Sequence, residues 1–442
     1  MKPAAATCLA FILAYPATSI AEDGFALAVA APSSANLPPG IKIHASDEGP
    51  VFTNEAGMTL YSLKLEEKAV GVSWCKDVAY TEGSHATQGY KHALINYDHR
   101  PTCLQKNPPA RVKEGAKATG KWSIIAREDG IKQWAYEGHA LYTSPEDKGP
   151  GQTNGISRGV PLYVPLDMPE GIKVVRDAGI TDKTHRDSEG VLLTTTRPER
   201  AGAAQLTLYT YDLDTPKESK CDLQCAKTWE PVLAPTVAIP AGEWSVVKRG
   251  DGALQWAFKG KPLYTNVNDF NPGDFNGEGV EHWRVAVMQP PPQPPREIST
   301  RVTFMGDVYT DERGFPVYWY SCREDGPDAL SCDDPTDRNL LWYTLCGGTP
   351  ESCAKQWRPV LAPEHPKRVA YSWTVVTIPP PWSPVRAGDN VTDGLKVWAY
   401  KGRPVFTYFK DDAPGVLNGW GVKLHHYAYW EPVGDTEGMG VE

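Results

Sequence analysis

One aromatic segment occurs three times along the chain, and this repetition constrains the fold more than any other feature. The three copies read QWAYEGHALYT (residues 133–143), QWAFKGKPLYT (255–265) and VWAYKGRPVFT (397–407). Repeated segments of this kind build the same structural unit at each occurrence. Copies one and two align without a gap from Cys103 and Cys225 onward, whereas copy three carries an insertion between Trp373 and Trp398. The sequence therefore predicts three tandem modules.

The module boundaries follow from the points at which the copies begin and cease to match. A chain of 442 residues is too long for one ordinary core. We predict module one at residues 38–167, module two at 168–290 and module three at 295–434. Residues 291–296 lie in a proline-rich stretch, which is typical of a stiff and extended linker.

The repeated segments carry the signature of short strands. Each contains a glycine followed by alternating apolar and aromatic residues, as in GHALYT and GKPLYT. This pattern indicates a turn that leads into a half-buried strand. The predicted fold is therefore all-β, with three tandem small antiparallel β modules that are stapled by disulfides.

The N-terminus resembles an export signal. Lys2 precedes a short apolar run, and Ser19 and Ala21 are the small residues that a signal peptidase accepts. We expect a cleaved signal peptide at 1–21, an N-terminal linker at 22–37, and a secreted or periplasmic product; an uncleaved anchor is the alternative. No later stretch is long and apolar enough to span a membrane. The net charge of −9 gives no basic footprint for nucleic acid.

Eight cysteines follow Cys8, and an even number in an exported chain favours disulfides. Pairing within each copy predicts four bonds. They are Cys75–Cys103, Cys221–Cys225, Cys346–Cys353 and Cys322–Cys332. A redox pair or a metal clamp is the functional alternative.

Copy two carries the most regular motif in the chain. Tyr209, Tyr211 and Asp214 are followed by Cys221 and Cys225, then by the repeated segment that contains Trp256 and Tyr264. This order resembles the secreted repeat family, predicted lipoproteins with a Y-x-(F/W/Y)-x-x-D motif. The resemblance covers nearly all of the mature chain as three tandem copies, and it implies no established activity.

The other two copies depart from the motif at its acidic position. Copy one has Glu66 where the motif has Asp, and copy three has Arg323. If the acidic residue took part in chemistry, copies one and three would be impaired or different.

A second motif, D-x-x-P-G-x-x-N-G, follows each aromatic segment, at residues 147–155, 269–277 and 411–419. Asp, Pro, Asn and Gly are turn formers, so a long β-turn connection explains all of them. Ca²⁺ is the alternative, because it binds carboxylate and carbonyl oxygens. Copy two offers the fullest set of candidate ligands: Asp269, Asn271, Asp274, Asn276 and Glu278.

No nucleophile, zinc-protease or phosphate-loop motif occurs in the chain. His85, His92 and His99 lie in an insertion between Cys75 and Cys103. We interpret this insertion as a solvated loop, and a transition-metal site is the alternative. The recurring aromatic residues favour core positions over an exposed platform for sugars. We therefore expect an exported, non-enzymatic binding or scaffold protein with no resident cofactor. Its partner is unidentified and belongs to the cell surface or envelope. The alternatives are a metal- or redox-associated periplasmic protein and a carbohydrate-active protein.

Overall fold

The structure is a computed structural model. It describes residues 37–77, 102–157, 159–176, 190–196, 205–270, 274, 276–290, 292–303, 306–322, 350–366, 370–378, 394–420, 422–425 and 428–432. The predicted signal peptide (1–21) and the histidines of the copy-one insertion lie outside these residues.

Within its described residues, copy one contains seven strands in two antiparallel sheets. The strands are β1 (Lys42–Ser46), β2 (Gly49–Thr53), β3 (Tyr61–Leu63), β4 (Trp122–Ala126), β5 (Lys132–Tyr136), β6 (His139–Tyr142) and β7 (Gly159–Pro161). Strands β1 and β2 form a hairpin, and the larger sheet has the order β4-β5-β6-β3-β7. Copy one also contains the 3-10 helices η1 (Lys64–Glu66) and η2 (Asn154–Ser157) and the helix α1 (Cys103–Lys106).

Copy two repeats this arrangement with additional strands. They are β8 (Ile172–Val175), β9 (Val191–Thr195), β10 (Tyr209–Tyr211), β11 (Trp229–Pro231), β12 (Trp244–Lys248), β13 (Leu254–Phe258), β14 (Lys261–Asn266), β15 (Trp283–Val285) and β16 (Val287–Gln289). The large sheet has the order β12-β13-β14-β10-β15, with β11 also paired to β14, and the smaller one has the order β16-β9-β8. The 3-10 helix η3 (Cys225–Lys227) precedes β11.

Copy three divides the large sheet into two parts. Its elements are β17 (Ile298–Thr303), β18 (Gly306–Asp311), β19 (Tyr318–Cys322), α2 (Pro350–Gln356), β20 (Trp357–Pro359), β21 (Trp373–Ile378), β22 (Leu395–Tyr400), β23 (Arg403–Pro404), β24 (Phe406–Tyr408), β25 (Lys423–His425) and β26 (Ala428–Pro432). Strands β17 and β18 form a hairpin, and the other sheets have the orders β21-β22-β23 and β20-β24-β19-β26-β25.

Equivalent residues pair in the same register in all three copies. The first tryptophan of each copy lies opposite the aromatic residue that ends the next strand: Trp122 with Tyr136, Trp244 with Phe258, and Trp373 with Tyr400. The first motif tyrosine likewise lies opposite the second aromatic residue of the repeated segment: Tyr61 with Tyr142, Tyr209 with Tyr264, and Tyr318 with Phe406. The prediction of an all-β fold with three tandem antiparallel modules is therefore confirmed.

Each copy has a separate aromatic core in which the repeated tryptophans are buried. Trp134, Trp256 and Trp398 are 2%, 4% and 3% exposed. In copy one the rings of Trp122 and Trp134 meet edge to face, with centroids 6.1 Å apart, and Trp244 and Trp256 repeat this contact at 6.4 Å. Burial of a large side chain stabilises a fold by a few kcal/mol, so these indoles are a main source of stability in each copy.

The hairpin inside each repeated segment closes through two residues with positive φ. Glu137 has a φ of 50° and Gly138 a φ of 87°, and the equivalent pairs are Lys259–Gly260 and Lys401–Gly402. Two consecutive residues with positive φ form a type I′ turn, which matches the twist of the flanking strands. Only the second of these positions carries glycine, so the first holds an ordinary side chain in a left-handed conformation.

No helix within the described ranges has the length and apolarity that crossing a bilayer would require.

We predict that Glu137→Asn stabilises copy one. Asn adopts the left-handed conformation more readily than Glu, and Asn-Gly is the preferred type I′ pair. The exposed ion pair of Glu137 with Lys121 adds little, because solvent screens it. The free energy of unfolding should rise by about 0.5–1 kcal/mol in a urea titration. Lys117→Asn, at an exposed site without positive φ, should leave it unchanged, and an equal effect of both changes would contradict this explanation.

Candidate functional site

The motif tyrosine and the aspartate of the D-x-x-P-G-x-x-N-G loop form one hydrogen bond in every copy. Each tyrosine hydroxyl donates to the Oδ2 atom of the first residue of the loop. The pairs are Tyr61–Asp147 at 2.7 Å, Tyr209–Asp269 at 2.8 Å and Tyr318–Asp411 at 2.9 Å. All six side chains are buried. The motif thus joins an inner strand of the sheet, which has a paired strand on each side, to a loop that lies far along the chain.

The other aspartate oxygen closes the loop on itself. In copy two, the backbone N–H of Asn276 donates to Oδ1 of Asp269 at 3.0 Å, and the Asn276 side chain donates to the carbonyl of Asn268 at 2.9 Å. The same two bonds are made by Asn154 in copy one and by Asn418 in copy three. Aspartate and asparagine therefore organise the backbone of the loop.

The final glycine of the loop allows the tyrosine to pack. A Cβ at Gly277 would lie 2.6 Å from the ring of Tyr209, and one at Gly419 would lie 2.7 Å from the ring of Tyr318. These distances are shorter than a side chain tolerates. Glycine is therefore required here for close approach.

The predicted Ca²⁺ ligands of copy two are used within the protein. Both carboxylate oxygens of Asp269 accept internal hydrogen bonds, and Oδ2 of Asp274 accepts from the backbone N–H of Phe270 at 2.7 Å. Asn271 lies outside the described residues, and Glu278 is exposed. Among the described residues no group of three or more His, Cys, Asp or Glu side chains could hold a metal ion. Ca²⁺ binding stays a prediction that would require Asp269 to leave the Tyr209 hydroxyl.

A second polar network surrounds the acidic residue of the Y-x-Y-x-x-D motif. In copy two, the hydroxyl of Tyr264 donates to Oδ2 of Asp214 at 2.6 Å and lies 2.8 Å from the hydroxyl of Ser219. Arg249 donates to Ser219 at 3.0 Å and to Oε1 of Gln255 at 2.7 Å. All members except Ser219 are less than 10% exposed.

Copy one contains the same network at the equivalent positions. Tyr142 donates to Oε2 of Glu66 at 2.7 Å, and Ser73 lies 2.7 Å from the same hydroxyl. Arg127 donates to Ser73 at 2.7 Å and to Gln133 at 2.9 Å. Glu66 therefore performs in copy one the role of Asp214 in copy two, despite its longer side chain.

Copy three has lost the network as a unit. Gln255 is replaced by Val397, Tyr264 by Phe406 and Asp214 by Arg323. Val397 and Phe406 are fully buried. Replacing one member alone would leave a buried polar group short of a partner, whereas replacing buried polar partners together with apolar groups, as at Val397 and Phe406, avoids that cost. Arg323, at the acidic position, lies outside the described residues. The joint change indicates that these residues act together.

The network also fixes the cysteine loop. Arg249 donates to the carbonyl of Cys221 at 2.8 Å, and the backbone N–H of Lys220 donates to Oδ1 of Asp214 at 2.6 Å. In copy one, Arg127 donates to the carbonyl of Cys75 at 2.6 Å and the N–H of Cys75 to Glu66 at 2.8 Å. The motif acid therefore holds the backbone beside a cysteine.

Two of the four predicted disulfides are present in the structure, Cys75–Cys103 and Cys221–Cys225. Cys332 and Cys346 lie outside the described residues, so the pairs with Cys322 and Cys353 stay predictions.

The aromatic residues of copy two are stacked inside it. The rings of Trp229 and Trp283 lie 3.7 Å apart with planes 5° from parallel, and Tyr211 stacks on Trp283 at 4.6 Å. Only Tyr211 is half-buried, and the other two are buried. An aromatic platform for sugars on Trp256 or Trp398 is not available, since both rings are in the core.

A further polar cluster joins the three copies, and no sequence pattern predicts it. It is built on the tip of the β1–β2 hairpin, residues 46–49, which we call the hairpin tip. Oδ2 of Asp47 accepts from the backbone N–H and the hydroxyl of Ser372 in copy three at 2.5 and 2.6 Å. Glu48 pairs with Lys401 of copy three at 3.4 Å, and both side chains are less than 10% exposed.

Copy two holds the same hairpin tip through its backbone. Arg176 donates to the carbonyl of Glu48 at 2.9 Å, and Gln289 donates to the carbonyl of Ser46 at 2.8 Å. The hairpin tip therefore contacts both other copies within four consecutive residues.

We predict that Asp411 titrates near pH 6. Burial raises its pKa to about 6, although the Tyr318 hydroxyl and backbone N–H groups act in the opposite direction. The folded state thus holds this proton more tightly than the unfolded chain, where aspartate titrates near 3.9. The resulting stabilisation is complete below about pH 4 and is lost as the pH rises through 6.

Carboxyl chemical shifts measured by NMR against pH provide the test for Asp411. Tyr318→Phe removes a donor to the carboxylate and should raise the midpoint further. A midpoint near 4 in the wild-type protein, or a lower midpoint in the variant, would contradict the burial argument.

We also predict that Tyr264 and Gln255 are energetically coupled. Tyr264→Phe removes the hydroxyl that donates to Oδ2 of Asp214 and leaves this buried carboxylate only the Lys220 N–H, so it should lower the free energy of unfolding by about 1–3 kcal/mol. Gln255→Val leaves Arg249 short of an acceptor and should cost a similar amount. The double variant, which reproduces the apolar pair of copy three, should cost less than the sum by about 1 kcal/mol. Urea unfolding of all four proteins measures the cycle, and strict additivity would show that the network does not act as a unit.

Comparison with known families finds matches at three places, residues 123–163, 245–287 and 389–433, all to the family described as a secreted repeat of unknown function. The first two matched ranges begin immediately after Trp122 and Trp244, so they include the hairpin and the D-x-x-P-G-x-x-N-G loop but not the cysteines. The family is described as secreted, which is consistent with export.

No match was found among curated proteins, and none among solved structures. Each matched range lies within one of the three structural copies in which the tyrosine–aspartate bond recurs. Three ranges of the chain therefore match the secreted repeat of unknown function, as three tandem copies of that repeat.

Proposed function

We propose that the protein is an exported, non-enzymatic scaffold that binds a repetitive partner in the cell envelope after its signal peptide is removed. The observation that carries this proposal is the hairpin tip, which connects copy one to copies two and three. A chain of freely jointed modules would need no such contact. A joined set of copies can present repeated surface features at fixed separations.

The polar motif residues support a structural role over a catalytic one. The motif tyrosines bond to loop aspartates, and the motif acids bond to a second tyrosine and to backbone N–H groups. Burial also raises the pKa of Tyr209 and of Tyr264, so both hydroxyls keep their protons near neutral pH. These groups are buried and engaged, which is unfavourable for attack on a substrate.

One exposed apolar residue recurs at the same place in two copies. Leu233 is 60% exposed and its backbone pairs with Gln255 in an isolated antiparallel β-bridge. Leu361 is 59% exposed and pairs with Val397 in the same way. Gln255 and Val397 are equivalent positions of the repeated segment, so the two leucines are equivalent as well. Copy one has Arg111 there.

Two equivalent exposed leucines favour a partner with repeated apolar patches. Simultaneous contact through two sites raises the overall affinity well above that of either site alone. We therefore assign Leu233 and Leu361 as paired contacts for an envelope protein whose surface repeats.

Site-specific crosslinking in the producing cell tests this proposal. A photoreactive residue at position 233 and, separately, at position 361 should capture the same protein, whereas one at the exposed Lys117 should not. Leu233→Ser with Leu361→Ser should weaken the association at least tenfold more than either single change.

Val237→Ser is a matched control, since Val237 is 81% exposed but, unlike Leu233, has no apolar counterpart in copy three. A different partner from each position, or equal losses in all variants, would overturn the proposed role. A crosslinked species made of two copies of this chain would also overturn it, because the partner would then be the protein itself.

A further inference from the structure

The two disulfides of the structure lie in equivalent places but close loops of very different length. Cys221 and Cys225 are separated by 4 positions, whereas Cys75 and Cys103 are separated by 28. In the chain-entropy account, a disulfide stabilises a protein by restricting the unfolded chain, and this effect grows with loop length. The Cys221–Cys225 bond therefore stabilises the fold less, by a factor of about twenty in the folding equilibrium, and its reduction should leave copy two folded.

The cysteine loop of copy two is held in place without the sulfur–sulfur bond. Arg249 bonds to the carbonyl of Cys221 at 2.8 Å, and Asp214 accepts from the N–H of Lys220 at 2.6 Å. At the other end, Oδ1 of Asp222 accepts from the N–H of Cys225 at 2.9 Å. Reduction would therefore leave the two sulfurs as neighbours, and the bond could form again.

The two sulfurs differ in their access to solvent. Cys221 is 2% exposed and packs with Trp229 and Trp283, whereas Cys225 is half-buried. The residues between them are exposed, and Leu223 is 74% exposed. An incoming thiolate can therefore reach Cys225, while Cys221 is the leaving group.

Charged side chains of both signs lie beside the pair, because Asp222 is between the two cysteines and the Lys220 ammonium pairs with Glu218 at 2.7 Å. Lys220 and Lys227 flank it, and the Arg249 guanidinium bonds to the carbonyl of Cys221. Nearby cations favour the thiolate form of a cysteine, which is both the nucleophile and the better leaving group.

We propose that Cys221–Cys225 is a reversible thiol–disulfide exchange site that accepts two electrons from a dithiol, and that Cys75–Cys103 is a structural bond. One thiolate of the dithiol attacks Sγ of Cys225 and breaks the disulfide, and Cys221 leaves as a thiolate and takes up a proton. The second thiol of the dithiol then attacks the mixed disulfide and releases Cys225. The dithiol ends as a disulfide, and the protein holds two thiols.

This activity is independent of the scaffold role and of the leucine contacts. The exposed Leu223 beside Cys225 favours a protein dithiol as the physiological reactant, since it offers an apolar contact next to the reactive sulfur.

A redox titration of the full chain with dithiothreitol tests the proposal. Thiols are trapped with iodoacetamide and assigned by peptide mass spectrometry. An exchange disulfide has a higher reduction potential than a structural one, so Cys221 and Cys225 should become labelled at a ratio of reduced to oxidised dithiothreitol at least tenfold lower than Cys75 and Cys103. The near-ultraviolet circular dichroism of the tryptophans should persist, and oxidised dithiothreitol should restore the bond. Reduction of both pairs at the same ratio, or loss of the tryptophan signal together with the short bond, would overturn the proposal.

A matched pair of variants tests which sulfur is attacked. Cys221→Ser leaves Cys225 as a free thiol, and Cys225→Ser leaves Cys221. Iodoacetamide should modify the folded Cys221→Ser protein at least tenfold faster than the folded Cys225→Ser protein. Equal rates, or the opposite order, would contradict attack at Cys225.

Discussion

The buried hydrogen bond between a strand tyrosine and a loop aspartate is the interaction on which each copy depends. It occurs at 2.7, 2.8 and 2.9 Å in the three copies. The tyrosine lies on an inner strand of the sheet, and the aspartate begins the D-x-x-P-G-x-x-N-G loop. Because an unpaired buried carboxylate is costly, the loop is stable only when the sheet supplies the hydroxyl. The loop is therefore ordered only when the sheet is folded.

The buried positions of the second polar network are filled in two different ways among the three copies. Copies one and two bury an acid, a tyrosine, an arginine and a glutamine that satisfy one another and hold a cysteine loop. Copy three has the apolar Val397 and Phe406 at two of those positions. Either solution avoids an unsatisfied buried group, and a mixture of the two would not. The comparison within one chain thus separates what the fold requires from what two of the copies have added.

The hairpin tip has a different physical character from the repeated bonds. It lies at the junction of three copies, where two acidic side chains are removed from water. Lys401 illustrates the adaptation of copy three to this contact. Its equivalents Glu137 and Lys259 are 55% and 37% exposed, whereas Lys401 is 7% exposed beside Glu48. A residue that is an ordinary turn position in two copies has become part of an interface in the third.

The sequence by itself determined the number of copies, the all-β class and the strands that hold the repeated tryptophans, because local alternation and turn residues specify strands. It also identified the loop motif. The Asn-Gly pair of this motif indicates a turn, whereas the structure shows that its glycine is required because a tyrosine ring packs against it. Internal comparison could have found the Asp214 network, since Gln255, Tyr264 and Asp214 change together in copy three.

Only the tertiary structure decided which distant residues contact one another. Asp47 and Glu48 read as surface acids in a turn, and their burial depends on Ser372 and Lys401, more than three hundred positions away. Local pattern carries no information about which distant groups will meet, because that is set by the packing of whole sheets.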